Sequence, residues 1–228
     1  MEKLVPAKSL VERTYDTLLD AICAGEFRAG ERIGQDEVAA RLNVSRQPVN
    51  SAIALLKAQR FVIETGRRGV VVAPIDQRLF QSIYQVRSVL EPLAVELATP
   101  RLDARMIAKG RSLVQEGTRL MQRGDAMGVL RADIDFHTML YELSGNDVIV
   151  DTMKLNWHHL RRAMGEVLRS PGMSLQVWKE HRRIFDAMAA GDGREAANLM
   201  REHIVGAPMR VASGTAGDGS MPSGRNDE

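Results

Sequence analysis

Four side chains in the second half of the chain have types and spacings that could bind a metal ion. Asp133 and His137 are four residues apart, so they would share one face of a helix. His181 and His203 lie eleven residues before and after Asp192, at which a turn between two helices is predicted. In an antiparallel helical hairpin these two imidazoles would lie at the same height along the two helix axes. One carboxylate and three imidazoles suit a divalent transition metal: zinc first, with nickel, manganese or iron as alternatives.

On spacing alone an alternative stays open for this set. A single helical histidine is more often an ordinary surface or core residue than a metal ligand. Asp135 is two residues from His137 and would point to another side of the helix, so we leave it out of the ligand set.

The elements that must position these residues are helices. After Pro74 the apolar residues recur at helical spacing, and Gly, Pro, Ser, Asn and Asp interrupt the pattern. This favours an all-α antiparallel bundle with short loops. The predicted helices cover residues 76–98, 103–123, 125–144, 147–169, 174–190 and 193–206.

The first part of the chain has a different pattern, which is typical of a winged helix-turn-helix. A short helix at 36–42, a turn at Asn43-Val44 and a second helix at 45–57 are predicted to pack on a helix at about 9–24. Two β-branched runs on either side of Gly66-Arg67-Arg68-Gly69 predict a basic β-hairpin. The fold class is therefore mainly α, with a winged helix-turn-helix followed by the antiparallel bundle.

Such a helix-turn-helix is shaped for the major groove of double-stranded DNA. Ser45 is a good N-cap, which leaves Arg46, Gln47 and Asn50 at the exposed start of the second helix. Arg suits guanine, and Asn or Gln suits adenine. The alternative is a small helical domain with a solvated basic face. The candidate DNA-binding residues are Arg41, Ser45, Arg46, Gln47, Asn50, Arg67, Arg68 and Gly69.

Length and composition set the limits of these predictions. The chain has 228 residues, 44% of them hydrophobic, and a formal net charge of +2. We expect a DNA-binding domain at 1–74, a metal- and effector-binding domain at 75–206 and a disordered tail rich in Gly, Ser, Ala and Pro at 207–228. The apolar runs are too short for a membrane span, and the single cysteine excludes an intrachain disulfide. A cytoplasmic location is expected.

Several motifs in this order resemble GntR-type transcriptional regulators of the FadR subfamily, which carry a C-terminal FCD domain. Residues 42–49 read LNVSRQPV, similar to the family's LGVSRTPV, and the wing reads GRRGVVVA at 66–73. The C-terminal half matches at VRSVLE (86–91), DIDFH (133–137) and SGN (144–146), and then at Glu180-His181, Gly191-Asp192 and His203. The resemblance covers about residues 8–206.

The resemblance implies a homodimer that binds a short, roughly palindromic operator and is not an enzyme. It also implies a metal site at Asp133, His137, His181 and His203, with a small carboxylate effector bound beside it: a sugar acid, an organic acid or an amino acid. Two positions depart from the family pattern. Asn50 replaces an Arg, and Arg60 replaces a Gly at the end of the recognition helix, where left-handed backbone would suit Gly better.

Arg87 is the candidate for a second effector contact, because a bidentate Arg beside a metal suits a carboxylate. The alternative is a surface ion pair between Arg87 and Glu91. Asn156 is a second candidate for the effector pocket, with ordinary packing as its alternative. Two other functions stay open: a metal-stabilised DNA-binding regulator without an effector response, and a metal-dependent enzyme. Against the enzyme, the sequence contains no HExxH, phosphate-loop or GxSxG motif.

Overall fold

The computed structural model describes residues 8–66, 69–167 and 175–215. The chain folds into two compact units. The first unit runs to Gln77 and includes the short segment Arg161–Gly165, and the second unit contains Arg78–Leu160 and the chain from Glu166 onward.

The described part of the chain before the hairpin forms the helices α1 (Leu10–Ala24), α2 (Gln35–Leu42) and α3 (Arg46–Ala58). Local sequence signals set their ends. Ser9 and Glu12 form a capping box at the start of α1. Asn43 adopts left-handed backbone, with φ 52°, and so makes the tight turn between α2 and α3.

An antiparallel hairpin follows α3, with β1 (Val62–Thr65) paired to β2 (Gly69–Val72). Val62 lies opposite Val72, and Thr65 lies opposite Gly69. The predicted wing is therefore present, although its two arginines, Arg67 and Arg68, lie outside the described residues. One core joins the helices to the hairpin, and its fully buried members include Leu19, Ile22, Val49, Leu56, Phe61 and Val72.

The second unit is built from long helices with short connections. Capping aspartates start three of these helices, since Asp103 accepts a hydrogen bond from the Met106 amide, Asp125 from the Gly128 amide and Asp192 from the Glu195 amide. The helices are α4 (Gln77–Ala98), followed by a 3-10 turn (Thr99–Arg101), α5 (Ala104–Gln122), α6 (Ala126–Ser144), α7 (Asp147–Val167), α8 (Leu175–Ala189) and α9 (Gly193–Thr215).

Helix α5 packs on α6 and α8, and α8 packs on α9. Two glycines on the inner face of α5 allow a close approach to α8. A Cβ atom on Gly110 would overlap the ring of Phe185, and a Cβ atom on Gly117 would overlap the indole of Trp178. The core that these helices surround includes Phe136, Leu140, Met153, Leu160, Ile184 and Met200.

The predicted mainly α fold class is confirmed, and most predicted helix ends agree with the structure within two residues. One boundary is wrong, because α9 continues to Thr215 and residues 207–215 are therefore helical rather than disordered. The continuation passes through Gly206 and Pro208, residues that disfavour the interior of a helix and therefore predict an earlier end. The rest of the predicted tail, residues 216–228, lies outside the described residues.

Within the described ranges, none of the helices combines the length and the apolar character that a membrane crossing requires.

Candidate functional site

Three helices of the second unit bring their histidines to one point. His137 on α6, His181 on α8 and His203 on α9 are 0%, 0% and 5% exposed. Each offers one ring nitrogen, and these three atoms lie within 4.8 Å of one another. The predicted level pairing of His181 and His203 across the α8–α9 turn is therefore present in the structure.

The fourth predicted residue, Asp133, lies at the same point. Its Oδ1 atom is 3.5 Å from His181 Nε2 and 4.0 Å from His137 Nε2. His181 Nε2 and His203 Nε2 are 3.2 Å apart. Two atoms about 2.1 Å from one zinc ion would lie roughly 3.0–3.4 Å apart at coordination angles between 90° and tetrahedral. The spacing of the two imidazoles suits a shared cation, and Asp133 lies only slightly farther away.

The chemistry of these atoms also fits a cation. His137 Nε2 is buried and has no hydrogen-bond partner among the described residues, a costly condition that a metal ion would relieve. Burial lowers the pKa of His203 below its ordinary 6.5, against the opposing effect of Glu180. A neutral imidazole is the form that binds a metal.

Two further carboxylates stand behind the imidazoles. Glu180 Oε2 is 2.8 Å from His203 Nδ1, with which it forms a hydrogen bond. Glu91 Oε2 is 2.8 Å from His137 Nδ1, with poorer alignment than a regular hydrogen bond. A carboxylate at Nδ1 orients the ring and leaves Nε2 for the metal. Neither glutamate is predicted from the sequence to have such a role.

Apolar rings enclose the cluster. The Phe136 ring stacks on His181, with 4.5 Å between the ring centroids. Trp178, which is 1% exposed, meets the same imidazole edge to face at 4.8 Å. A dry surround of this kind strengthens the electrostatic interactions inside the site.

Glu91 also anchors a buried polar network that reaches from α4 to α7. Arg87 Nε donates to Glu91 Oε1 at 2.5 Å, and Tyr141 Oη donates to the same oxygen at 2.7 Å. Trp157 Nε1 in turn donates to Tyr141 Oη at 3.2 Å. Burial alone would raise the pKa of Glu91, but Arg87 and then His137 outweigh it and hold the pKa well below its ordinary value. The carboxylate is therefore ionised.

Arg87 forms the ion pair with Glu91 that was its alternative expectation, but the pair does not lie at the surface. The two side chains are only 3% and 0% exposed. Its guanidinium carbon lies 5.0 Å from the Tyr84 ring centroid and 4.7 Å from that of Trp157. Nε alone contacts Glu91, and the two Nη groups have no hydrogen bond to a described residue.

Asn156, the second candidate for the effector pocket, is half-buried on α7. It is the residue before Trp157, and its side chain makes no hydrogen bond to another described residue. Asn156 is therefore not a member of the hydrogen-bond network.

The predicted DNA-contacting residues lie in the first unit. Arg41, Ser45, Arg46, Gln47 and Asn50 are all exposed, and the last four lie at the start of α3. Ser45 occupies the N-cap position as predicted, but its hydroxyl makes no capping hydrogen bond.

Two of these cations have acidic neighbours that are not predicted from the sequence. Arg46 forms an ion pair with Asp36, and Arg41 Nη2 lies 3.3 Å from Glu26 Oε2. On the wing, Gly69 has left-handed backbone, with φ 71°. Arg60 also has left-handed backbone, with φ 63°, the conformation for which Gly is the better residue.

Comparison with known proteins agrees with the division of the chain into a winged-helix unit and a helical unit. Residues 10–72 match the family model of bacterial regulatory proteins of the gntR family, and residues 82–206 match that of the FCD domain. The Nta operon transcriptional regulator of Aminobacter aminovorans is 30% identical over 180 residues, which are 78% of this chain and 83% of the relative.

Solved structures show the same architecture. A transcriptional regulator GntR from Rhodococcus sp. RHA1 superposes with a TM-score of 0.75 at 27% identity, covering 90% of this chain and 99% of that one. E. coli McbR/YncC superposes with a TM-score of 0.78 at 18% identity, covering 91% and 99%, and so shares the fold. The chain belongs to the GntR family of bacterial transcriptional regulators, in the group that carries an FCD domain, and is a DNA-binding regulator rather than an enzyme.

Proposed function

We propose that this regulator is a metal-dependent repressor of the FadR subfamily, which binds a palindromic operator as a homodimer and responds to a small carboxylate. Asp133, His137, His181 and His203 would hold one divalent transition metal, zinc first. The observation that carries the proposal is the convergence of three buried imidazoles around an unpartnered Nε2 atom. Histidines that served only the core would instead have their polar atoms satisfied.

The bound metal would act as a Lewis acid to which an effector carboxylate attaches. Arg87 and Asn156 are the proposed effector contacts. The guanidinium of Arg87 is held by Glu91 through Nε alone, so its Nη groups are available for a second carboxylate oxygen. A hydroxy acid or sugar acid could bridge the two sites.

Glu91 offers a physical route by which such a ligand would affect the protein. It contacts Arg87 on one side and His137 on the other, so effector and metal would share one buried carboxylate on α4. An effector can regulate only if it binds the two dimer arrangements unequally. Displacing Arg87 relative to Glu91 is the change we expect to separate those arrangements.

On the DNA side, Arg46, Gln47 and Asn50 are proposed to enter the major groove, with Ser45 and Arg41 near the backbone. Arg67, Arg68 and Gly69 of the wing would follow the adjacent backbone or minor groove. The side chains of the Arg46–Asp36 pair are 69% and 68% exposed, so the pair contributes little stability. A phosphate or a guanine can therefore take the place of Asp36 as the partner of Arg46.

Metal analysis of purified protein tests the site. We expect about one metal ion per chain, lost in the double variant His181→Ala, His203→Ala. Asp135→Ala is the matched control, because Asp135 is exposed on the same helix two residues from Asp133. A double variant that keeps its metal would refute the assignment of the four ligands.

Selection of bound DNA from a random pool at controlled salt tests the operator. We expect a palindrome, and we expect Arg46→Ala to weaken its binding by about 1–3 kcal/mol. Arg105→Ala, which removes an exposed arginine from the second unit, is the control. Equal losses for the two variants would show that Arg46 contributes only general charge.

A regulator whose metal is purely structural is the second candidate, and one observation favours it: Arg87 is already paired and enclosed by two rings. A thermal-shift panel of sugar acids, organic acids and amino acids separates the two functions. An effector must raise the melting temperature of the metal-loaded protein by mass action. If the same acid stabilises Arg87→Ala equally, Arg87 is not its contact.

A further inference from the structure

We propose that a second copy of this chain docks on the outer face of α4, through a stripe formed by Val86, Val89, Leu93 and Leu97. The inference rests on the homodimer of the proposed function and assigns its interface. The stripe lies on the opposite side of the helix from Arg87 and Glu91, which are buried.

The four aliphatic side chains are exposed in the structure. Val86 is 41% exposed, Val89 66%, Leu93 40% and Leu97 37%. Their spacings of three, four and four residues place them on one side of the helix. Single exposed aliphatic residues are ordinary, but a continuous line over three helical turns indicates a surface that another molecule covers.

The surroundings of the stripe are nearly uncharged. Among the exposed positions from Gln81 to Leu97, Glu96 is the one charged residue, and the polar ones are Gln81, Ser82 and Gln85. The outer face of α5 gives a direct contrast, because Arg105, Lys109, Arg111 and Arg119 are exposed there. Depletion of charge around apolar residues is typical of the centre of a protein interface and not of a solvated face.

The stripe is complementary to itself, which points to a second copy as the occupant. The stripe residues form two pairs, Val86 with Leu97 and Val89 with Leu93. The midpoint of each pair along the sequence lies within one residue of Glu91. In an antiparallel arrangement, Val86 of one copy would therefore meet Leu97 of the other, while Val89 would meet Leu93. A two-fold interface uses the same patch twice and needs this symmetry.

Area and rigidity are consistent with such a dimer. A stable interface covers about 800 Å² on each partner, so the stripe would supply its apolar centre and the neutral flanking residues would extend it. The inner face of α4 is held in place, since Arg87 and Glu91 are buried in the polar network and Tyr84 and Val95 in the core. A helix already held in place loses little conformational entropy when it docks.

Analytical ultracentrifugation of the full chain without DNA tests the proposal with two charge variants. One carries Val89→Glu and Leu93→Glu, and the other carries Val89→Lys and Leu93→Lys. We expect wild-type protein to be dimeric and each variant alone to dimerise at least about a hundred-fold more weakly, because like charges replace the apolar centre. Val205→Glu, which is 62% exposed on α9, is the matched control and should stay dimeric.

Mixing the two charge variants gives the decisive measurement. In a mixed dimer, position 89 of each copy faces an opposite charge at position 93 of the other copy, so the mixture should form a one-to-one dimer. Such a dimer would also show that both variants are folded. A monomeric wild-type protein, charge variants as dimeric as wild type, or a mixture that stays monomeric would each overturn the proposal. Metal content, measured on the same samples, tests the proposed metal site separately from the interface.

Discussion

The two units of this regulator use the same ion-pair chemistry in opposite surroundings. In the winged-helix unit, Arg46 and Asp36 form a pair whose side chains are 69% and 68% exposed. In the helical unit, Arg87 and Glu91 form a pair whose side chains are 3% and 0% exposed. Water screens the first pair, so it can open for DNA. The second pair is buried away from water, so each of its charges depends on the opposite charge for stabilisation.

Glycine shows the same contrast. In the winged-helix unit, Gly30 and Gly69 have positive φ and open space where a side chain would be, so their role there is backbone conformation. In the helical unit, Gly110 and Gly117 lie within a helix, against Phe185 and Trp178, so their role is close packing. These glycines therefore serve backbone conformation in the first unit and helix packing in the second.

Removing one partner of each ion pair should give the largest difference between the units. Glu91→Ala leaves Arg87 charged, buried and unpaired, so we expect it to lower the free energy of unfolding by about 3–5 kcal/mol. Asp36→Ala should cost no more than about 1 kcal/mol. Both tryptophans, Trp157 and Trp178, lie in the second unit, so fluorescence during urea unfolding reports that unit, and circular dichroism reports the whole chain.

Metal should first be removed from every sample with a chelator, so that lost metal binding does not add to the result. Glu91→Gln is the control that keeps the shape of the side chain without its charge. Equal destabilisation by Glu91→Ala and Asp36→Ala would remove the contrast between the buried and the exposed pair.

Gly117→Ala tests the packing role of glycine. The added methyl group would overlap the indole of Trp178, and we expect a loss of about 1–3 kcal/mol in the free energy of unfolding. Gly193→Ala is the control, because its Cβ atom would lie 3.4 Å from Thr99, an ordinary contact. A Gly117→Ala variant as stable as wild type in thermal and urea unfolding would show that α5 and α8 do not need this close approach.

Acid should weaken the helical unit before the winged-helix unit. The folded pKa of His203 is lowered, so below its ordinary value of 6.5 the unfolded chain binds a proton that the folded chain resists. Stability of the metal-free protein should therefore fall as pH falls below 6.5, by at most about 1.4 kcal/mol per pH unit for this group.

Urea midpoints from tryptophan fluorescence at pH 7.5 and 5.5 measure this effect. His203→Gln should reduce the difference between the two pH values. An unchanged difference would assign the pH dependence to other groups.

The smallest expected effect lies in the winged-helix unit. Arg60 has left-handed backbone at φ 63°, so Arg60→Gly should relieve strain and raise the free energy of unfolding by about 0.5–1 kcal/mol. Asn43→Gly, at φ 52°, should gain less because Asn tolerates this conformation better. Thermal unfolding of both variants is the measurement, and a destabilised Arg60→Gly would show that the arginine side chain contributes more than the strain costs.

Some features of this protein follow from the sequence because their causes are local. The helix-turn-helix, the wing and the bundle follow from apolar period, capping residues and turn residues that act over a few positions. The meeting of His181 and His203 is also close to local, since the short α8–α9 hairpin fixes which residues come level. The end of α9 was harder to predict, because the helix continues past Gly206 and Pro208, two residues whose local preference is to end it.

Only the tertiary structure placed Glu91 behind His137, 46 positions along the chain, and hydrogen-bonded Tyr141 to the same carboxylate. Likewise, the sequence showed that Arg87 and Glu91 share a helix face but not that the face is buried. Burial depends on which other helices cover a residue, and that is a property of the whole packed unit. The sequence by itself therefore determined which residues are candidates to bind metal and DNA, and packing decided which carboxylates lie behind the candidate metal ligands.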